Sequence, residues 1–449
     1  GRDAVNHRRN FFGNVHAGIA NKYFVDVSAS YGGNNRLPQG DRYSFFPAVS
    51  ASWMLSREAF LEDVGALDRL QLQASWGIVG SDDLPTRNPW ESYYDSGFGY
   101  RFTNDNNYWQ GFAEQRAAAI DFGVEKSQKT NVGLDAAFFG DRLQMSTDVF
   151  YTRTSNILAD GFGRYSTILG VYPPPNTDGT VENRGMEASL RWQDQGDDWS
   201  YHVGGQFSFA RNKILEQNEV FRQEEYLRRT GEPVGQRFGL EAVGFFQDEE
   251  EIANSPEQNF GEVKPGDIKY KDQNGDGIIN ELDEVPMGYS SDYPEMYFST
   301  SLGASYQGVS VTALFQGTAN YTAYLNTPGV FRPMRSNNTI SKHYYNRRWT
   351  PTTAGSATYP RLSTEENSNN FRPSSVWLKD RSYVKLRSLK ISYSLPSSVI
   401  EPLKLDQLQI VLRGRNLFSI DNIPVLDPEH LTSGYPILRS YSAGVEVQL

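Results

Sequence analysis

Strict alternation of apolar and polar residues, in segments joined by connections that are short and long in turn, constrains this sequence more than any other feature. In KYFVDVSASY, Tyr23, Val25, Val27, Ala29 and Tyr31 share one face, and Phe24, Asp26, Ser28 and Ser30 the other. RLQLQASWGI sets Leu70, Leu72, Ala74, Trp76 and Ile78 against Arg69, Gln71, Gln73, Ser75 and Gly77. TNVGLDAAFF, RLQMSTDVFY, NRGMEASLRW, MYFSTSLGASY and DQLQIVLRGR behave alike. Each is near the roughly 9–11 residues that a tilted strand needs to cross the hydrocarbon of a bilayer.

The pattern predicts thirteen strands, over 11–20, 21–31, 43–55, 69–79, 130–140, 142–154, 183–193, 199–212, 296–307, 309–318, 380–394, 406–417 and 439–449. The odd connections are tight, as at Asn21, Gly140-Asp141, DQGDD (194–198) and Gly308. The even ones are long: 32–42, 80–129, 155–182, 213–295, 319–379 and 418–438. In antiparallel order every long connection leaves from the same side. That is the arrangement of outer-membrane barrels, with extracellular loops and periplasmic turns. The expected class is therefore all-β, an antiparallel transmembrane β-barrel.

Composition agrees. Apolar residues make up only 38% of the 449, and no run of about 18 apolar residues exists for a spanning helix. A barrel escapes that test because only alternate residues face lipid. Tyr 26, Phe 26 and Trp 8 supply the aromatics that girdle such a barrel at its interfaces. A net charge of -11 argues against a nucleic-acid surface. The absence of cysteine removes disulfides, thiolate metal sites and cysteine nucleophiles. His7, His16, His202, His343 and His430 show no metal-ligand spacing.

An odd strand count does not close a bacterial barrel, so further strands are expected before residue 1, which is read as an internal break; GRDAVNHRRN carries no Met and no signal segment. The last strand alternates Tyr441, Ala443, Val445, Val447 and Leu449 with Ser442, Gly444, Glu446 and Gln448. It resembles the C-terminal assembly signal of outer-membrane proteins, with Leu where Phe is common. Residues 1–449 are thus read as the C-terminal part of a barrel, with 213–295 its longest surface loop.

Several segments together resemble the SusC/RagA family of TonB-dependent outer-membrane transporters of Bacteroidetes. They include NKYFVDVSASYGGNNRLPQGDRYSFFPAVSASWMLSREAFL, LDRLQLQASWGIVGSDDL, EKSQKTNVGLDAAFFGDRLQMSTDVFYTRTSNIL, ENRGMEASLRW, PGDIKYKDQNGDGIINELDEVPMGY, DRSYVKLRSLKISYSLP, GRNLF and RSYSAGVEVQL. The resemblance implies the later strands of a barrel of about 22. It also implies import of oligosaccharides or oligopeptides, a SusD-like surface lipoprotein as lid, and energy from TonB through a plug whose segment is absent from this chain. A siderophore or cobalamin receptor on the same scaffold is an alternative, as is a calcium-dependent surface adhesin without transport.

Asp272 to Asp283, DQNGDGIINELD, has the spacing of a calcium loop. Asp272, Asn274 and Asp276 offer side-chain oxygens at positions one, three and five; Gly277 permits the turn, Ile278 offers its carbonyl, and Asp283 stands at twelve. A structural calcium ion is expected there, the alternative being an Asx turn without an ion. Trp90, Tyr93, Tyr94, Tyr100 and Trp109, with Asp95, Asn104, Asp105 and Asn107 among them, could stack sugar faces or simply pack the loop. HYYNRRW (343–349) could touch a partner but reads rather as a solvated loop face, and Asp26, Gln71, Gln73, Asp135, Asp148, Glu187, Arg191 and Arg413 as a wet lumenal face. No paired carboxylates in a dry cleft and no GxSxG motif appear, so neither an enzyme nor an organic or redox cofactor is expected.

Overall fold

A computed structural model describes residues 7–82, 90–100, 109–119, 122–159, 168, 170–172, 174, 176–290, 292–327, 329–335, 338–403, 405–431, 435 and 437–448. Its main sheet holds thirteen strands in chain order: β1 (Arg8–Ile19), β2 (Tyr23–Asn34), β3 (Tyr43–Met54), β4 (Leu67–Ser81), β5 (Glu125–Phe138), β6 (Leu143–Ala159), β7 (Asn176–Gln195), β8 (Trp199–Glu216), β9 (Met296–Tyr306), β10 (Val309–Ala319), β11 (Tyr383–Ser394), β12 (Gln407–Asp421) and β13 (Ser440–Gln448). The sheet is antiparallel, and all thirteen predicted strands are present. No helix among the described residues is long and apolar enough to cross a membrane.

The chain divides into two compact units. One is Gly1–Ala188 with Ala210–Arg222 and Arg228–Pro233; the other is Ser189–Phe209 with Gln223–Leu227 and Val234–Leu449. In the first unit, pairing carries one face across the sheet: Val25 opposes Ala51, Ala51 opposes Ala74, Ala74 opposes Val132 and Val132 opposes Val149. These apolar positions stay exposed, as lipid-facing residues do. On the other face, Gln73, Gly133 and Asp148 come abreast, as the alternation predicts. Gly133 is needed there, since a Cβ would lie 2.5 Å from Asp148 Oδ1 and 2.6 Å from Gln73 Nε2.

The apolar band has aromatic ends. Tyr23 stacks on Trp53 at 6.2 Å beside the short turns, and Tyr31 on Tyr43 at 5.3 Å toward the long connections. Positions 23 and 31 of β2 are thus about 26 Å apart along the strand at roughly 3.3 Å per residue, near the height of a lipid-facing band. Ala20 and Asn21, with φ of 52 and 55°, form the first tight turn, and Gln307 and Gly308, with φ of 46 and 85°, another. Two consecutive left-handed residues give the hairpin twist that adjoining strands require.

Three expectations on length are corrected. β6, β7 and β8 run 17, 20 and 18 residues, well past the membrane requirement. Strand β7 thus takes in NTDGTVE (176–182), which has no apolar alternation.

Candidate functional site

In the second unit the long connections fold on each other. Leu240, Ile268, Tyr270, Ile279, Ala323, Leu325, Val330, Tyr344, Tyr359, Trp377 and Ile423 form a core drawn from 217–295, 320–382 and 422–439. Tyr344 stacks on Tyr359 at 4.7 Å and lies parallel to Trp377 at 6.4 Å. Burial pushes the Tyr344 phenol well above its ordinary value. Tyr344 and Trp349 are therefore core residues, which corrects the solvated-face reading of HYYNRRW. A short helix over Lys342–Arg347, capped by Ser341 Oγ on the Tyr344 N–H at 3.1 Å, turns Tyr344 inward.

Next to this core stands a buried polar hub. Asp267, at 0% exposure, forms an ion pair with Arg361, whose Nη2 donates to Oδ2 at 3.1 Å and whose Nε stands 2.7 Å from Oδ1. Asn367 and Asn370 donate to its Oδ1 at 2.9 and 2.8 Å, and the Lys264 N–H to Oδ2 at 2.8 Å. Gln258 Nε2 donates to Asn369 Oδ1 at 2.6 Å while its Oε1 accepts from the Tyr270 N–H at 2.7 Å. The PGDIKY segment thus ties connection 217–295 to connection 320–382. A buried carboxylate is tolerable only with such a full set of donors.

The calcium-like loop follows at once. Gly275 and Gly277 have φ of 75 and 84°, and Asp272 accepts their N–H groups at 2.7 and 2.9 Å. Asp276 Oδ1 accepts from the Ile278 N–H at 2.8 Å and Asn274 Oδ1 from the Asp276 N–H at 3.1 Å. Asp283, fully buried, takes the Gln273 and Asn280 N–H groups, both at 2.8 Å, and closes a capping box with Asn280. These side-chain oxygens thus accept from the turn's own backbone N–H groups, in the order that the cation-loop spacing sets. Among the described residues, however, no three His, Cys, Asp or Glu side chains stand around one point.

Of the aromatic candidates, Trp90 meets Phe122 at 5.7 Å and packs, as Phe46 and Leu158 do, against the cluster of Leu37, Ala119, Phe122 and Val124. Tyr93 and Tyr94 stand exposed, at 53% and 59%, on a hairpin of Tyr93–Tyr100 with Trp109–Arg116. Tyr100 and Trp109 are paired across it in backbone register; their side chains, and Asn104, Asp105 and Asn107, lie outside the described residues. Asp95 accepts only from the adjoining Ser96 N–H among its described partners, at 2.7 Å. A cavity of about 410 Å³ opens on the polar face of β1 to β4, lined by Ser28, Ser30, Asn34, Arg42, Ser44 and Asp82 among others. Burial raises the Asp82 carboxyl, but hydrogen bonds from Asn34 and Arg8 outweigh it and hold the group below its ordinary value.

Sequence reasoning missed a ladder on β11. Just before the strand, Arg381 binds the Pro428 carbonyl at 2.5 Å, and Tyr383 donates to Glu429 at 2.9 Å. Lys385 reaches Asp427 at 2.5 Å and Glu429 at 2.8 Å, and Arg387 pairs with Glu429 at 2.5 Å. Tyr383, Lys385 and Arg387 share one face by the period of two, and the register shift between Leu386 and Ser388 leaves Arg387 outside the paired residues of the ladder. The signal was present in DRSYVKLR, whose basic and aromatic residues recur at every second position, and in DPE (427–429).

Comparison with known proteins agrees with this architecture. The family described as TonB dependent receptor-like, beta-barrel matches residues 5–329. TonB-dependent receptor P3 of Formosa agariphila is 26% identical over 93% of this chain and 41% of its own length. TonB-dependent receptor SusC of Bacteroides thetaiotaomicron is 24% identical over 74% of the chain and 33% of its own. The chain thus spans about two fifths or less of these two receptors. The RagAB peptide importer in its open-open state superposes with a TM-score of 0.77 at 20% identity, over 99% of this chain and 47% of that one. These relatives are named as receptors and importers, not enzymes, and the chain belongs to the TonB-dependent receptor β-barrel family of the outer membrane.

Proposed function

We propose that this chain supplies wall and surface loops of an importer of SusC/RagA type, which takes up oligosaccharides or oligopeptides, drawing on TonB through a plug. A SusD-like lipoprotein is its lid. The observation that carries this reading is the folded core shared by connections 217–295, 320–382 and 422–439. A barrel that only let small solutes through would not need loops built into a body of their own; a surface that must hold a lid and a large ligand does. Likeness to SusC and to RagAB supports the same reading. The test is growth of a strain lacking the gene on a panel of glycans and peptides as sole nutrient. Loss of growth on one polymer, restored by the gene, is expected; undiminished growth on all of them rejects import as the role.

Calcium at Asp272–Asp283 is a second, structural reading. Left-handed Gly277 at position six and the Asn280–Asp283 capping box at nine and twelve favour it. Asp272, Asn274, Asp276, Asp283 and the Ile278 carbonyl would hold the ion, which would clip the 217–295 connection.

A further inference from the structure

We propose that the cavity on the polar face of β1 to β4 holds one sugar residue of the ligand; this rests on the import reading and narrows its ligand to an oligosaccharide. Adjoining rows of the sheet build the cavity. Gly32 stands between Asn10 and Ser44, Ser30 opposes Phe46, and Ser28 opposes Ala48. Ser28, Ser30, Gly32, Ser44 and Ala48 are small, so the face sinks between them to leave about 410 Å³. That volume lies in the roughly 300–1,000 Å³ of small-ligand sites. Two glycines keep the walls in place. A Cβ on Gly32 would lie 2.5 Å from Asn10 Oδ1, and one on Gly80 would lie 2.2 Å from the Phe46 ring, so Asn10 crosses the floor and Phe46 leans over β4. The outer rim is fixed by Asn34, at 3% exposure, which donates to Asp82 Oδ2 at 2.7 Å and accepts the Arg36 N–H at 2.9 Å. Arg8 pairs with the other Asp82 oxygen.

The groups on offer match a sugar. Backbone N–H and C=O groups of the floor are engaged in the strand ladders, so a peptide finds no row of backbone partners there. The Ser28, Ser30 and Ser44 hydroxyls and the Asn10 amide project instead, and they bond no other described residue. A serine hydroxyl both donates and accepts, as each sugar hydroxyl does, and the Phe46 ring beside them is an apolar surface for sugar C–H groups. Ser28 and Ser30 are roughly 6.6 Å apart at about 3.3 Å per residue, near the width of one pyranose ring.

The chain has no cysteine, so a single introduced thiol reports on its own position. Ser30→Cys places one in the cavity, and Ser50→Cys places one on the same face beyond it, opposite Asp26. The experiment measures maleimide labelling of each variant in the full-length protein in detergent, with the wild type as blank. It is run alone, with oligosaccharides from partial hydrolysis of starch, xylan, mannan and agarose, and with a tryptic digest of casein. The oligosaccharides should slow labelling of Ser30→Cys roughly 10-fold once the bound component reaches about ten times its Kd. The casein peptides should leave it unchanged, and Ser50→Cys should react at one rate throughout. Protection by the peptides, or by neither mixture, overturns the sugar site. Ser30→Cys that resists labelling without ligand, while Ser50→Cys reacts, overturns it too and gives the cavity to the plug. Binding needs no energy coupling, so protection by oligosaccharides with undiminished growth of the deletion strain faults the import reading alone.

Discussion

Lys385 Nζ lies 2.8 Å from Glu429 Oε2, joining an ammonium of 2% exposure on β11 to the connection that precedes β13. Arg387 and Tyr383 converge on the same carboxylate. Removing it with Glu429→Ala leaves Lys385 with Asp427 alone and Arg387 without its acid, so a loss of about 3–5 kcal/mol is expected. Thermal unfolding and proteolysis within 422–439 report it; an unchanged cleavage rate would contradict the ladder. Burial raises the Glu429 carboxyl, but its three donors outweigh burial and hold it at about 2, against an ordinary 4.5. A depressed carboxylate stabilises the fold fully above the unfolded value. Its contribution should therefore fade as pH falls from about 4.5 to about 2, and Glu429→Gln should flatten that part of the stability profile.

Asp267→Ala should release two connections at once. It strips Arg361, Asn367 and Asn370 of their shared acceptor and leaves a part-buried guanidinium uncompensated, at a cost of about 3–5 kcal/mol. Hydrogen exchange should rise together in 217–295 and 320–382 while β9 and β10 stay protected. Gly266→Ala should act in the same direction, because φ is +91° and a Cβ would lie 2.3 Å from the Trp349 ring. Exchange rising in only one connection would show that the hub does not join them.

The sheet was legible because period-two alternation is local: each of the thirteen strands announces itself without reference to its neighbours. The loop core was not, because its contacts are remote in sequence. Asp267 meets Arg361 94 residues on, and Gln258 meets Asn369 111 residues on. Tyr344 within HYYNRRW looked like part of a wet face because a single helical turn offers too few positions to show a buried side. Lys385 was hidden differently. Its alternation with Tyr383 and Arg387 has the form of an ordinary lumenal face, and only the returning DPE segment makes it a clamp.

Chelation tests the calcium reading. Adding calcium to chelator-treated protein should slow proteolysis of 217–295 and raise the melting temperature, and Asp276→Ala together with Asp283→Asn should remove both effects. Asp283→Asn alone is ambiguous, since Asp283 also accepts the Gln273 and Asn280 N–H groups. Asp276 is the cleaner position, being exposed and bound only within its own turn. Calcium protection that survives Asp276→Ala would place the ion elsewhere, and no protection in the wild type would leave the loop as an Asx turn.

Trp90 and Tyr94 should separate packing from recognition on the loop that follows β4. Trp90→Ala removes a ring packed on Phe122 and the small cluster around it, so it should lower stability by about 3 kcal/mol and loosen 90–124 whether or not ligand is present. Tyr94→Ala removes an exposed phenol and should leave the melting temperature within about 1 °C, since surface changes rarely exceed about 0.5 kcal/mol. If Tyr94 stacks a sugar face, the same variant should weaken glycan binding by roughly 3- to 10-fold, with Tyr93→Ala close behind. Unchanged binding in both variants would remove the exposed tyrosines from the ligand's path and confine recognition to other surfaces, such as the polar cavity between Ser28 and Asp82.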